Sequence, residues 1–410
     1  MTVRGMVILG AGECGARAAF ALRENGYDGP VTLIGNETHL PYERPPLSKA
    51  TLIDEPGHKP IAPVEKYREA DIALRLGTTV EAILPAEGRI ALADGDRLAF
   101  DKLLLAIGSR PRRLPENGPS HGHVKYLRTF DDAVDIRSSL GPGKRLVIVG
   151  AGFIGLELAA TARTLGTAVT VVEAQPRVLM RGVPEAIAGV IAARHAAEGV
   201  DLRVGIGISA IKEDDAAAHI ELADGTVLTV DTVVVGIGAL PNTALAEAAG
   251  LDIENGIAVD DRLRTTAPNV FAAGDCCSFP LPVYGGRRVR LEAWRNAQDQ
   301  GNLAARNMLG GNEAISSIPY FWSDQYDLTL QVSGLSDSAA TTVRRDIGAE
   351  AFLLFHLDAD GVLLAASGIG RGNSVGRDIK LAERLVAARS RLDAAALASP
   401  DIRLKSLLAA

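Results

Sequence analysis

Apolar runs broken by glycine turns occur twice along this chain with the same internal order. The first begins with Val7 to Leu9, passes through Gly10, Gly12 and Gly15, continues into a helix-like ARAAFALRENG and ends in a second apolar run, VTLIGNE. The second reads RLVIVG, then Gly150, Gly152 and Gly155, then LELAATARTLG and VTVVE. Continuous apolar runs flanking a helical stretch predict strand, helix and strand in a parallel sheet covered on both faces. After about residue 316 the pattern changes to PYFWSDQYDLTLQVSGL, then strand-like AFLLFHLD and VLLAASGIG, then a helical RDIKLAERLVAARSRL. Strands followed by a helix predict a separate small α+β domain.

The order of the runs also predicts a nesting. DKLLLAIGSRPRRLP at 101–115 and TVVVGIGALPN at 232–242 are each an apolar strand stopped by Gly and Pro, and the second glycine fingerprint lies between them. TTAPNVFAAGD at 265–275 then returns the chain to the first unit. The expected fold class is α/β, with two Rossmann-like dinucleotide-binding domains and a C-terminal α+β domain. Residues 1–112 and 244–316 form the discontinuous outer domain, 113–243 the inserted one and 317–410 the third.

Each glycine fingerprint carries its own chemistry. The first glycine makes the tight turn, the second lets backbone approach a pyrophosphate, and the third lets helix pack on strand. The helix N-terminus then offers N–H groups and a positive dipole end to the phosphates. Glu37 closes the second strand of the first unit 27 residues after Gly10, where it or its neighbour Asn36 takes a ribose hydroxyl. Glu173 falls 23 residues after Gly150, near the spacing expected of the carboxylate that holds an adenosine ribose. A carboxylate there repels a 2'-phosphate and favours NADH, although Arg177 and Arg181 follow in QPRVLMR and pull the other way. Two dinucleotide sites in one chain imply a flavin and a nicotinamide exchanging hydride, hence FAD and NADH. Asp275, at the end of a strand, is placed to accept hydrogen bonds from a ribityl chain.

Composition narrows the class. The 410 residues are 47% hydrophobic and only 4% aromatic, which suits a core of Ala, Val, Leu and Ile under parallel sheets. A net charge of -7 argues against nucleic-acid binding. No window approaches a membrane span, and no signal-peptide pattern opens the chain, so a soluble cytoplasmic protein is expected. Cys14, Cys276 and Cys277 lack disulfide-framework or Cys-x-x-Cys spacing and read as buried thiols, with redox sensitivity the alternative at Cys276 and Cys277. The seven histidines, among them His39, His195 and His356, show no metal spacing and read as structural or exposed.

Taken together, VILGAGECG, PYERPPLSK at 41–49, DKLLLAIGSRPR, YLRTFDDA, VIVGAGFIGLELA, VVEAQPRVLMR, NVFAAGDC, EAWRNAQDQG and PYFWSDQYDL resemble a known family over nearly the whole chain. It is the family of NADH-dependent ferredoxin reductases of bacterial oxygenase systems, of the putidaredoxin reductase and biphenyl dioxygenase reductase types, with the glutathione reductase fold. The resemblance implies FAD contacts from Gly10, Gly12, Cys14, Gly15, Asn36, Glu37, Arg44, Lys49, Val80, Arg128, Asp275 and Trp294. It implies NADH contacts from Gly150, Gly152, Ile154, Gly155, Glu157, Glu173, Arg181 and Gly238. It also implies a catalytic pair, Lys49 beside flavin N5 held by Glu157. Trp294 and Trp322, the only tryptophans, fall in motifs near the flavin edge in relatives; for Trp322, domain-interface packing is the equal alternative. Trp294 departs from the putidaredoxin reductase type, which has a small aliphatic residue there, and agrees with the dioxygenase type.

Disulfide reductases of this fold carry redox cysteines in the loop after the first helix, where this chain has PYERPPLSK. Electrons on FAD are therefore expected to leave singly through an outside carrier, which the resemblance makes a two-iron two-sulfur ferredoxin. Such ferredoxins are acidic, and Arg287, Arg288, Arg290 and Arg295 are the candidate docking residues, with Arg371, Arg377 and Lys380 as further ones and a merely solvated face as the alternative. The expected assembly is a monomer or weak dimer. Two other readings compete: a rubredoxin or other small-carrier reductase of this fold, and an NADH-sensing flavoprotein of the apoptosis-inducing-factor type that acts by binding.

Overall fold

The computed structural model describes residues 4–54, 57–115, 120–348 and 350–408. The chain divides into two compact units, one of Met1–Glu43, His58–Arg110 and Leu240–Pro319, the other of Arg44–Gly57, Pro111–Ala239 and Tyr320–Ala410. In chain order the framework begins with β1 (Met6–Leu9), α1 (Glu13–Glu24), β2 (Val31–Ile34), β3 (Ile72–Arg75) and β4 (Lys102–Leu105). It continues with β5 (Val124–Lys125), β6 (Arg145–Val149), α2 (Phe153–Thr164), β7 (Ala168–Glu173), α3 (Glu185–Ala197), β8 (Asp201–Val204) and β9 (Thr232–Val235). It closes with β10 (Val270–Ala272), α4 (Trp294–Met308), β11 (Tyr320–Gln325), β12 (Leu328–Gly334), β13 (Thr341–Gly348), β14 (Ala351–Leu357), β15 (Leu363–Arg371) and α5 (Gly376–Ala387).

In the first unit a parallel sheet runs β10-β4-β1-β2-β3. All four residues of β1, MVIL, are buried, as a strand covered on both faces requires. The order reverses at β1, so the crevice at the carboxyl ends of β1 and β4 is the switch point where α/β sheets take ligands. Gly10 sits there at φ +113°, and a Cβ on it would stand 2.1 Å from the Ala106 carbonyl oxygen. α1 packs along α4, and Gly301 permits the crossing: a Cβ there would meet the Cys14 carbonyl oxygen at 2.5 Å. The sequence placed the start of this helix near Ala16, whereas it begins at Glu13, because the glycine turn is itself the first helical turn.

Two five-stranded sheets dominate the second unit, beside a small antiparallel one of Ile208–Glu213, Ala218–Leu222 and Val227–Val230. The parallel one runs β8-β7-β6-β9-β5 and repeats the reversal at β6. The other is antiparallel, β11-β12-β15-β14-β13, with α5 packed on β12 and β15. Edge strand β13, TTVRRDIG, went unrecognised in the sequence, since only Val343 and Arg345 of it are buried. Arg345, 5% exposed, uses its guanidinium to clamp the carbonyls of Leu397, Pro400 and Ile402 at 3.2, 3.3 and 2.6 Å.

His356 on β14 is buried between Thr342 Oγ1 at 3.2 Å and Ser367 Oγ at 3.1 Å, and burial pushes its pKa down to about 4. The unfolded chain binds that proton at about pH 6.5, so the neutral ring stabilises the fold fully above that pH. Stability should then fall as pH drops from about 6.5 towards 4, by up to about 3 kcal/mol from this residue. Urea midpoints measured across that range on the wild type and His356→Asn check it: the variant's curve should be the flatter, and parallel curves would contradict the assignment.

Candidate functional site

In the first unit α1 springs from Gly12 with no side chain capping it, which leaves its first-turn N–H groups open to a ligand. A Cβ built on Gly12 has nothing within 4 Å, while one on Gly15 would strike the Gly10 carbonyl oxygen at 1.9 Å. Beside this turn lie two buried polar atoms without a partner, Glu13 Oε2 and Gln300 Nε2. Glu13 Oε1 accepts from Gln298 at 2.8 Å; burial raises the Glu13 pKa, and bonds from Gln298 and Trp294 oppose that rise. Gln300 Oε1 accepts the Gly274 N–H at 2.7 Å, next to Asp275, whose Oδ2 accepts from the Ser109 hydroxyl at 3.2 Å. An uncapped helix end, an open glycine and orphaned polar atoms fit a diphosphate-bearing dinucleotide such as FAD. Glu37 accepts from the Tyr42 hydroxyl at 2.5 Å, Asn36 is exposed, Cys14 and Val80 are buried, and Trp294 opens α4.

The second unit repeats the cradle. Gly150 adopts φ +103°, a Cβ on Gly152 meets nothing within 4 Å, and α2 begins uncapped, with Ile154 51% exposed in its first turn. Glu173 at the end of β7 is pinned by two backbone donors, the N–H of Ala151 at 2.7 Å and of Gln175 at 2.8 Å. Its carboxylate is thereby fixed beside the glycine turn, as a ribose acceptor must be. Arg177 is folded onto the carbonyls of Val178, Leu179 and Val183 at 3.1, 3.0 and 3.0 Å, so of the two nearby arginines only Arg181 is exposed, by Gly238. Glu173→Ala should raise KM for NADH at least about tenfold and narrow the preference over NADPH, as steady-state kinetics with both cofactors will show.

The third constellation is Lys49 and Glu157, also in the second unit. A 3-10 turn, Pro45–Ser48, delivers Lys49, whose Nζ stands 3.0 Å from Glu157 Oε2 and 3.4 Å from the Pro45 carbonyl. Glu157, 6% exposed on α2, also accepts from Ser48 Oγ at Oε2 and Ser323 Oγ at Oε1, both at 2.6 Å. Thr161 donates to the Ser48 carbonyl at 2.8 Å and holds the turn against α2. Both carboxylate oxygens are thus occupied, which compensates a buried charge. Arg44 donates to the Arg128 carbonyl at 2.6 Å. Trp322 donates to Asp324 at 3.1 Å and stacks on Tyr320. Ser48, Ser323 and Gln300 escaped notice in the sequence; the available signal was polar residues at inward positions, as in the i, i+2 pair Ser323 and Gln325 of a strand.

Residues 4–301 match the family model described as pyridine nucleotide-disulphide oxidoreductase, and residues 320–408 one described as reductase C-terminal. The chain belongs to the pyridine nucleotide-disulphide oxidoreductase family. The ferredoxin–NAD(+) reductase component of an anthranilate 1,2-dioxygenase system from Burkholderia cepacia is 42% identical, over 100% of both chains. The corresponding component of a p-cumate 2,3-dioxygenase system from Pseudomonas putida is 40% identical over 98% of this chain and 97% of its own. Among solved structures, a covalent putidaredoxin reductase–putidaredoxin complex superposes with a TM-score of 0.93 at 33% identity, covering 100% of this chain and 99% of that one.

The chain has three cysteines, Cys14, Cys276 and Cys277. All three are free and buried in the first unit. Burial raises Cys276 to about 11 and Cys14 and Cys277 well above the usual thiol value. The candidate docking arginines are less basic as a group than their spacing suggested. Arg288 pairs with Glu254 at 3.0 Å, Arg290 with Glu292, and Arg295 faces Asp299 at 4.0 Å, while Arg287 is exposed. No helix among the described residues is long and apolar enough to cross a membrane.

Proposed function

We propose that this chain is an FAD-dependent NADH:ferredoxin oxidoreductase whose acceptor is a two-iron two-sulfur ferredoxin serving a haem mono-oxygenase or ring-hydroxylating dioxygenase. The observation that carries the reading is the segment PYERPPLSK: it presents Lys49, ion-paired to Glu157, and no cysteine, so no internal disulfide takes the electrons. The relatives named as ferredoxin–NAD(+) reductase components of dioxygenase systems supply the acceptor class. FAD held in this cradle would supply the link between two-electron hydride transfer from NADH and one-electron transfer to the carrier.

The protein's own part is binding, orientation and electrostatics. We assign residues 1–112 and 244–316 to FAD and 113–243 to NADH. The uncapped starts of α1 and α2 hold the diphosphates, Glu37 or Asn36 and Glu173 the riboses, and Asp275 the ribityl hydroxyls. Lys49, fixed by Glu157, supplies a positive charge where negative charge develops as the flavin is reduced. The protein acts in the cytoplasm as a monomer or weak dimer, with Arg287, Arg288, Arg290 and Arg295 as ferredoxin contacts. NADH oxidation coupled to cytochrome c, alone and with a panel of two-iron ferredoxins, tests it. Salt-sensitive stimulation by one ferredoxin is expected. Stimulation by rubredoxin alone would reassign the carrier, and a long-lived NADH complex without turnover would favour a sensor.

A further inference from the structure

Glu157 is the end of a longer chain of buried side chains within the second unit. Ser323 Oγ lies 2.6 Å from Glu157 Oε1, Gln325 Nε2 lies 3.1 Å from Ser323 Oγ, and His195 Nε2 lies 2.8 Å from Gln325 Oε1. None is more than 6% exposed, and His195 on α3 is fully buried. Tyr326 packs edge-on to its ring, centroids 5.1 Å apart, with its hydroxyl 3.5 Å from Nδ1.

We propose that His195, acting through Gln325 and Ser323, is a positioning residue that orients the Glu157 carboxylate and so fixes the ammonium of Lys49. Hydrogen-bond direction fixes each group's role along this chain. A carboxylate only accepts, so Ser323 must donate to it and its oxygen is left to accept from the Gln325 amide NH2. Gln325 then turns its carbonyl to His195, which must donate from Nε2 and is fixed in the Nε2–H tautomer. Every bond points towards Glu157, and hydrogen bonds aligned in this way polarise and strengthen one another. Burial lowers the His195 pKa, which keeps the ring neutral and its Nδ1 an acceptor.

The same logic gives a test at a distance. Lys49 and Ser48 both donate at the Oε2 position, so Glu157→Gln should turn its amide oxygen to them and its NH2 to Ser323. Ser323 must then donate to Gln325, whose NH2 flips towards His195, and the ring should switch to Nδ1–H. Full-length protein labelled with 15N at histidine reports the tautomer through ring couplings, with the His195 signals identified by their loss in His195→Gln. An Nε2–H ring in the wild type and Nδ1–H in Glu157→Gln is the expected result; Nδ1–H in the wild type, or one tautomer in both, overturns the proposal. Where Glu157→Gln does not fold, Ser323→Ala cuts the chain instead and should give mixed tautomers; a pure Nε2–H signal there also overturns it.

A second readout rests on the flavin reading above. His195→Asn, which lacks a donor at the Nε2 position, should slow flavin reduction by NADH about tenfold with unchanged half-saturation. His195→Gln, whose amide nitrogen replaces Nε2, should restore most of that rate. Equal losses in both variants would mean packing alone and overturn the positioning role. A tautomer switch in a protein whose flavin NADH does not reduce would support the chain and overturn the flavin reading.

Discussion

Alanine at Lys49 should slow the reduction of bound flavin by NADH about a hundredfold in stopped flow, while the NADH concentration for half-maximal rate shifts by less than about threefold. The split follows from where the charge acts. The ammonium is anchored 3.0 Å from Glu157 and 23% exposed, so it is already fixed in place before any charge develops. A preorganised charge favours the transition state over the bound substrate, and about 2.7 kcal/mol, a hundredfold, is the ordinary worth of one such group. The fold should survive, because Glu157 keeps its bonds from Ser48 and Ser323. A reduction rate within about threefold of the wild type would remove Lys49 from the chemistry.

Gly155→Ala should raise KM for NADH by about thirtyfold or more while the purified protein keeps its full complement of FAD. The added Cβ would stand 2.2 Å from the Gly150 carbonyl oxygen and 3.2 Å from Ile148 Cγ2. Gly150 has no room to retreat: its N–H is bonded to the Val172 carbonyl at 2.8 Å and its own Cα faces the Gly236 carbonyl, 2.5 Å from a notional Cβ. The start of α2 must therefore lift from β6, and the N–H groups that meet a diphosphate move with it. The Gly10, Gly12 and Gly15 cradle lies in the other compact unit, which is why FAD retention is the internal control. The visible absorbance per protein and the NADH saturation curve together check the prediction. Loss of both cofactors would point to general unfolding.

The glycine turns and the parallel strands were legible because their signals are local: a run of apolar residues, a spacing of two and three, a carboxylate at the end of the next strand. Glu173 shows how far that carries, since its backbone donors Ala151 and Gln175 sit in the same motif pair. The signals that failed are those completed far away in the chain. Arg345 fills an inward position of β13 because its acceptors are carbonyls more than fifty residues on, and an inward arginine hides a strand from any reading by alternation. Likewise, Arg288 looks like part of a basic cluster until Glu254 is folded beside it. The inward Ser323 and Gln325 acquire meaning only when β11 meets α2 and α3, and no spacing in the sequence announces His195 as their partner.

Buried thiols have a practical consequence for anyone wishing to watch this protein at work. Maleimides and iodoacetamides attack thiolates that solvent can reach, and Cys14, Cys276 and Cys277 offer neither access nor ionisation near neutral pH. A single cysteine introduced on an exposed position, for instance in place of Glu221, would be the one fast-reacting site on the molecule. Fluorophores or spin labels can therefore be attached to the intact chain without first replacing its native cysteines and disturbing the close packing behind β10.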